Sequence, residues 1–261
     1  AGGSQVAFRT SATDFVANAD GVYSQQAYRI DLTSLQRSRV SESDAGQSTA
    51  GDGVRSLAFT PDGRELLFET ARTGGRDYQV LNLATGAREL RASLDTLQVP
   101  GSAVPANGTA NIALDSFVGD DVATSRRQVL GWRQVSGDWT VISGSADGSA
   151  FGNQLAWLEG VSADGGRILY RSLSDNLVAG DDNRAGDLFL HDSGLGANIL
   201  VTRAAGTLNP SRAHSGQAVL TADGQKIIVE SYAGDLSNHG SGYRRNIYSL
   251  SLNILADSDG D

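Results

Sequence analysis

The chain has no cysteine, no methionine, one lysine and four prolines in 261 residues. Without cysteine there is no disulfide framework, no thiolate metal site and no cysteine nucleophile. No apolar run is long enough for a membrane-spanning helix, so membrane insertion is not expected. The opening Ala1-Gly2-Gly3-Ser4 is polar and lacks the basic-then-apolar order of a signal peptide. With no methionine at position 1, this opening is what a processed mature protein or a domain cut from a longer chain would show. Positive charge is also scarce: 21 basic against 30 acidic residues give a formal charge of −9 and a pI near 4.8. That balance argues against a nucleic-acid partner, which demands a concentrated basic face. Lys226 being the lone lysine is a compositional bias without functional content. Helical periodicity is missing too, since apolar residues nowhere persist at three- and four-residue spacing for three turns, while short alternating runs punctuated by Gly, Asp and Asn appear throughout.

What the chain does contain is a repeated hairpin. Phe59-Thr60-Pro61-Asp62-Gly63-Arg64-Glu65-Leu66-Leu67-Phe68 returns as Val161-Ser162-Ala163-Asp164-Gly165-Gly166-Arg167-Ile168-Leu169-Tyr170, and again as Leu220-Thr221-Ala222-Asp223-Gly224-Gln225-Lys226-Ile227-Ile228-Val229. Each copy ends one apolar strand, turns at Asp-Gly and starts another. Asp62 to Asp164 is 102 residues and Asp164 to Asp223 is 59, so a unit of roughly 50 residues fits if one intervening copy has degenerated. A second similarity links Thr10 to Asn18 with Arg171 to Gly180, and Tyr28 to Asp31 with Phe189 to Asp192. The first unit thus begins in mid-repeat, without its hairpin.

These units predict an all-β chain in the form of a β-propeller with five four-stranded blades, or a fragment of a larger propeller, because four-stranded units at this period must bury both sheet faces against neighbours. The expected blades cover roughly residues 1–41, 42–92, 93–145, 146–204 and 205–256 of a single domain, and residues 257–261 begin an acidic tail. In the third unit, residues 93 to 110 read as a loop and strands are expected at Ala110 to Leu114, Asp121 to Thr124, Gln128 to Gln134 and Trp139 to Ile142, with Trp132, Trp139 and Trp157 clustered in and after it. The fifth unit runs out after its third strand, so Leu252 to Asp257 is expected to supply the strand that the first blade lacks. The expected core comprises Phe59, Leu66, Phe68, Val161, Ile168, Tyr170, Ile227 and Val229.

Leu57-Ala58-Phe59-Thr60-Pro61-Asp62-Gly63, with Leu83-Ala84-Thr85-Gly86 downstream, resembles the WD40-like propeller repeats of the TolB type. Ser172 to Asp192, with its Asn-Leu-Val, Gly-Asp and Asp-aromatic pattern, is similar to a bacterial extracellular variant of those repeats. The resemblance spans about two-thirds of the chain and implies a fold more than an activity. In such families the propeller is a scaffold for protein contacts, an envelope component or a gate attached to a hydrolase. The expected protein is therefore a secreted, periplasmic or cell-surface bacterial module that presents face loops to a protein or glycan partner and carries no catalytic residue. The competing readings are a polysaccharide-degrading enzyme with an acidic funnel and a structural segment of a larger surface protein.

Candidate chemistry is sparse. His191, His214 and His239 have no matching nucleophile motif, and His191 and Asp192 point to opposite faces of one strand. Ser215 beside His214 reads as loop polarity. Asp120-Asp121 and Asp181-Asp182 have the composition of a glycosidase pair, but aspartates next to Gly and Asn are also what turns require. Asn107-Gly108-Thr109 is a formal glycosylation sequon. The metal expectation is calcium at Asp257, Asp259 and Asp261, carboxylates at the first, third and fifth places of a calcium loop whose later ligands would lie past Asp261. Asp181, Asn183 and Asp187 offer a second spacing, but the first unit has Asp20, Val22 and Gln26 there, so a repeated metal loop is not expected.

Overall fold

The computed structural model describes residues 3–16, 24–41, 53–72, 74–94, 100–107, 112–118, 126–133, 136–238 and 244–252. Among them there is no helix, and the strands form five antiparallel sheets in chain order. The first is β1 (Gln5–Thr10), β2 (Gln26–Asp31) and β3 (Arg37–Arg39); the second is β4 (Leu57–Phe59), β5 (Glu65–Arg72), β6 (Gly75–Asn82) and β7 (Arg88–Leu94). The third holds β8 (Pro100–Pro105), β9 (Ile112–Val118), β10 (Arg126–Arg133) and β11 (Asp138–Val141). The fourth holds β12 (Ala156–Val161), β13 (Arg167–Ser172), β14 (Asp187–Asp192) and β15 (Ala197–Leu200), and the fifth β16 (Ser215–Leu220), β17 (Lys226–Ser231) and β18 (Asn246–Ser251). Within each sheet the strands are hydrogen-bonded in sequence order.

The described residues fall into two compact units. One holds the residues up to Ser116 together with Trp132–Trp139, the other Phe117–Gly131 and those from Thr140 onward. In the first unit, Ala27, Val40, Val54, Leu66, Phe68 and Leu81 form a core, with Ala7, Leu57 and Phe59 partly buried against it. In the second, Leu169, Leu188 and Leu190 of the fourth sheet pack on Ala218, Leu220, Ile227 and Val229 of the fifth. Successive strand residues point to opposite faces. Leu66, Leu67 and Phe68 are all fully buried, so both faces of the second sheet are covered.

The hairpin turns explain why the Asp-Gly pattern repeats. In each, a hydroxyl bonds the aspartate two residues on: Thr60 to Asp62 at 2.7 Å, Ser162 to Asp164 at 2.5 Å, Thr221 to Asp223 at 2.5 Å. The same aspartate accepts the amide two residues further, at 2.9–3.0 Å, and the glycine takes a φ near +70° that a side chain would disfavour. A fourth copy of this turn is Ser145-Ala146-Asp147-Gly148, with Ser145 to Asp147 at 2.6 Å and Gly148 at φ 69°. It does not join two strands of a sheet; only an isolated bridge between Gly144 and Phe151 closes it.

A second repeating device is a hydroxyl that locks the outermost strand to its neighbour. Ser41 donates to Gln26 at 2.8 Å, Ser93 to Asp77 at 2.7 Å, Ser143 to Gln128 at 2.7 Å and Thr202 to Asp187 at 2.6 Å. The acceptors stand at 26, 77, 128 and 187, steps of 51, 51 and 59 residues, so the degenerate third unit keeps phase with the rest. Thr202 also accepts the amide of Leu188 at 3.1 Å. Thr202→Val keeps the shape and deletes both bonds, leaving Asp187 under-satisfied in a fully buried place; it should cost about 1–3 kcal/mol in a denaturant titration.

Three expectations need amending. Residues 93 to 110 are not simply a loop, because β7 runs to Leu94 and β8 occupies Pro100–Pro105. Its prolines stand at the strand ends on the sheet edge, where a missing amide is tolerated. Trp132 and Trp139 do meet, with ring centroids 6.4 Å apart, but Trp157 instead lies under the Arg171 guanidinium at 4.7 Å. Phe59 is only partly buried, while the seven other expected core residues are buried. The expected strand Asp121 to Thr124 and the closing strand beyond Leu252 lie outside the described residues.

Candidate functional site

The second unit carries a cleft of about 720 Å³. Its walls come from the β11–β12 connection, the β13–β14 loop, and the outer edge of the fourth sheet at β14 and β15. The extra Ser145–Gly148 turn forms one rim, and its bonds fix the backbone there: Ser149 donates its amide to Asp147 at 3.1 Å and Ala150 to the Ser145 hydroxyl at 3.0 Å. Accepting the Ser145 hydroxyl and then the Ser149 amide holds the Asp147 carboxyl down to about 2. Behind the rim, a side chain at Gly152 would collide with Ser174 and with the Ser143 carbonyl, at 2.8 and 2.9 Å, so the chain passes there only as glycine.

On the opposite wall His191 and Asn198 are cross-strand partners on β14 and β15. The Asn198 amide group donates to the carbonyls of Ile142 and Gly144, at 3.0 and 3.4 Å, so its oxygen faces His191 Nδ1 at 3.1 Å. With the amide protons committed, the shared proton belongs to His191 Nδ1, and a neutral ring is the tautomer with its lone pair on Nε2. Val141 and Phe151 add half-exposed apolar surface, with Phe151 44% exposed. No Asp, Glu, Lys or Arg lines the cleft. Its chemistry is that of uncharged binding: one aromatic face, serine hydroxyls, an imidazole and exposed backbone.

Ionisable groups also converge elsewhere among the described residues. In the β13–β14 loop, Asn183 donates to Asp187 at 2.8 Å and to the Ser211 carbonyl at 2.7 Å, and His214 Nδ1 accepts the Gly186 amide at 2.6 Å. Asp181 is buried near this group. Burial, followed by the charges of Asp187, Asp175 and Asp182, pushes its carboxyl up to about 6, and burial raises Asp187 as well. The spacing Asp181, Asn183, Asp187 therefore does come together, yet among the described residues no three acidic or histidine side chains are placed to hold a metal. A folded-state pKa above the unfolded one near 3.9 means the stabilising proton is held below that value and lost as pH rises through about 6. Asp181→Asn should therefore raise the melting temperature at pH 7 and flatten its decline between pH 4 and 7; an unchanged pH profile would refute this.

The third group is in the first unit. Arg76 meets Glu69 at 2.6 Å, with the Ser56 hydroxyl 3.2 Å from the same carboxylate and Tyr78 buried beside them. The two charged side chains are 9% and 0% exposed, so the pair is sealed from any substrate.

Of the residues singled out in the sequence, Asp257, Asp259, Asp261, His239 and the Asp120-Asp121 pair lie outside the described residues. His191 is at the cleft, while His214 and Ser215 serve the backbone and the Ser231 hydroxyl. The cleft itself went unread, although one signal was available: Ser145-Ala146-Asp147-Gly148 repeats Ser162-Ala163-Asp164-Gly165 out of phase.

Five antiparallel three- and four-stranded sheets in chain order, three of them with an Asp-Gly hairpin turn between their first two strands, define an all-β propeller fold. The comparisons agree. Neither a protein-family model nor a curated protein matches the chain. Among solved structures it is similar to TolB from Acinetobacter baumannii, with 16% identity over 96% of this chain and 51% of that one and a TM-score of 0.55. It is similar to an oligogalacturonate lyase in complex with manganese, with 16% identity, 96% and 60% coverage and a TM-score of 0.59. The β-propeller domain of the trilobed protease from Pyrococcus furiosus aligns with 14% identity, 95% and 64% coverage and a TM-score of 0.55. The fold is thus that of TolB-like and other WD40-like propellers, and the chain spans about half to two-thirds of these proteins' lengths.

Proposed function

We propose that the chain is a non-catalytic propeller module of a bacterial secreted or cell-envelope protein, and that the cleft of the second unit receives an uncharged segment of a protein or glycan partner. The observation that carries this reading is the absence of any charged residue from the cleft lining, beside a half-exposed Phe151 and the His191–Asn198 pair. Acid–base catalysis requires two or more ionisable groups converging where substrate can reach them. Of the converging groups, Glu69 and Arg76 are sealed, and Asp187 and Asn183 are engaged in holding a loop. The envelope placement is supported by the TolB likeness and by the extracellular-type loop at Ser172 to Asp192. Among the described residues no helix is long and apolar enough to cross a membrane.

A labelled chain should retain neutral oligosaccharides or uncharged peptides from an array, and binding should depend only weakly on salt because no charged residue lines the cleft. Phe151→Ala should weaken it about tenfold, the loss expected of one stacking or apolar anchor. Binding that collapses with salt and ignores Phe151→Ala would overturn the reading. The alternative of a polysaccharide-degrading enzyme predicts new reducing or unsaturated ends from polygalacturonate, and their appearance would sink the non-catalytic proposal.

A further inference from the structure

The loop that forms one wall of the cleft also carries a buried carboxylate whose surroundings oppose its charge. Leu177, Val178 and Ala179 of the β13–β14 loop line the cleft, and Asp181 follows two residues later, 6% exposed. Three carboxylates act on it, those of Asp187, Asp175 and Asp182, and against them stands the backbone amide of Asn183. No arginine or lysine pairs with it among the described residues. Of the other charges nearby, His214 acts on Asp187, Arg184 is exposed on the loop, and Arg212 is exposed and lies 4.0 Å from Asp235. His191 faces Asn198 on the opposite wall. Both ends of the loop are tied, and each tie runs through one of these carboxylates. At the start, Asp175 accepts the side-chain amide of Asn153 at 2.6 Å, while Asn176 accepts the Asn153 backbone amide at 3.0 Å and donates to the Phe151 carbonyl at 3.3 Å. Asp175 thus holds the rim segment that presents Phe151 to the cleft. At the end, Asp187 accepts Asn183 at 2.8 Å, and Asn183 also donates to the Ser211 carbonyl at 2.7 Å. Leu177, 1% exposed, sits between the two ties.

We propose that this loop is a proton-held wall of the cleft: with Asp181 uncharged it seats Leu177, Val178 and Ala179 against the rim, and ionisation of Asp181 pushes on Asp175 and Asp187, straining both ties and loosening the wall. As regulation of binding, this rests on the reading of the cleft given above. Like charges repel strongly where little water reaches them, and Asp181 is in such a place. Opening the loop returns Asp181 to water and to an ordinary carboxyl pKa near 3.9, whereas in the seated loop burial, then the neighbouring carboxylates, raise it to about 6. The seated loop therefore binds the extra proton, is favoured most below about 4, and loses that advantage as pH rises through about 6. Between about pH 5 and about pH 7.5 the opening equilibrium should rise about tenfold.

Hydrogen–deuterium exchange of the full chain at these two pH values, corrected for the intrinsic pH dependence of amide exchange, reads that equilibrium without any ligand. Residues 173–186 and 145–154 should be about tenfold less protected at the higher pH in the wild type, and Asp181→Asn, which removes the charge and keeps the volume, should hold both segments at their acid level throughout. Wild-type protection that does not change with pH overturns the proposal. So does a pH dependence that survives Asp181→Asn, which would pass the role to Asp187 or His214. The neutral oligosaccharide or peptide best retained from the array should bind the wild type more weakly than Asp181→Asn at about pH 7.5, by up to about tenfold, and the two should converge near pH 5. Equal affinities at the higher pH would overturn the link from loop to cleft. If the array retains nothing, the binding reading fails alone, and the exchange result still decides whether the wall is held by a proton.

Discussion

Phe68→Ala should destabilise the protein by about 3–5 kcal/mol, a large share of the 5–15 kcal/mol that a domain commonly has. Phe68 is fully buried in β5 and sits in the core with Ala27, Val40, Val54, Leu66 and Leu81. Truncation removes the ring's transfer free energy and leaves a cavity between two sheets whose strands are tied by backbone bonds and cannot collapse into it. Phe59→Ala should cost distinctly less, because Phe59 is only partly buried at the rim of the same cluster. Urea unfolding should show a lower midpoint with an unchanged slope for both variants. A cost below about 1 kcal/mol for Phe68→Ala would mean that this face of the second sheet is not enclosed.

The features visible in the sequence were those whose physics is local. Ser/Thr-x-Asp-Gly specifies its own turn through a hydroxyl, a carboxylate and a positive-φ glycine within four residues, so the hairpins at Asp62, Asp164 and Asp223 could be read directly. Strand β8 could not, since Pro100, Gly101 and Pro105 are loop residues by composition and only pairing with β9 makes them a strand. The lock hydroxyls were hidden for the opposite reason: a serine fifteen or sixteen residues from a glutamine or aspartate is unremarkable until the register brings them to 2.6–2.8 Å. The cleft is a product of tertiary structure altogether. Its two walls are some forty to fifty residues apart, and the contact that orients His191 runs from Asn198 to the carbonyl of Ile142. His191 looked inert because it was judged against Asp192, its neighbour in sequence, when its partner lies across the strand pair.

Arg76→Met should be as damaging as the loss of Phe68 at neutral pH, about 3–5 kcal/mol, because it strands a buried carboxylate. Burial pushes the Glu69 carboxyl up, opposed by Arg76 at 2.6 Å and by the Ser56 hydroxyl, and burial prevails. Without Arg76, only the Ser56 hydroxyl bond and the weaker attraction of Arg55 remain. The double variant Glu69→Leu/Arg76→Met removes both charges and should recover most of the loss, as buried pairs replaced by apolar residues commonly do. The pH dependence follows from linkage. A carboxyl whose folded pKa lies above its unfolded value binds more protons when folded, so its stabilising proton is fully present below the unfolded pKa and lost as pH rises through the folded one. Removing Arg76 raises the folded pKa further and moves that loss to higher pH. The penalty of Arg76→Met should therefore be small near pH 4, where Glu69 is neutral with or without its partner, and grow steadily toward pH 7. Urea titrations of wild type and variant at several pH values test this directly. An equal penalty at every pH would show that Arg76 contributes by packing its side chain rather than by neutralising Glu69.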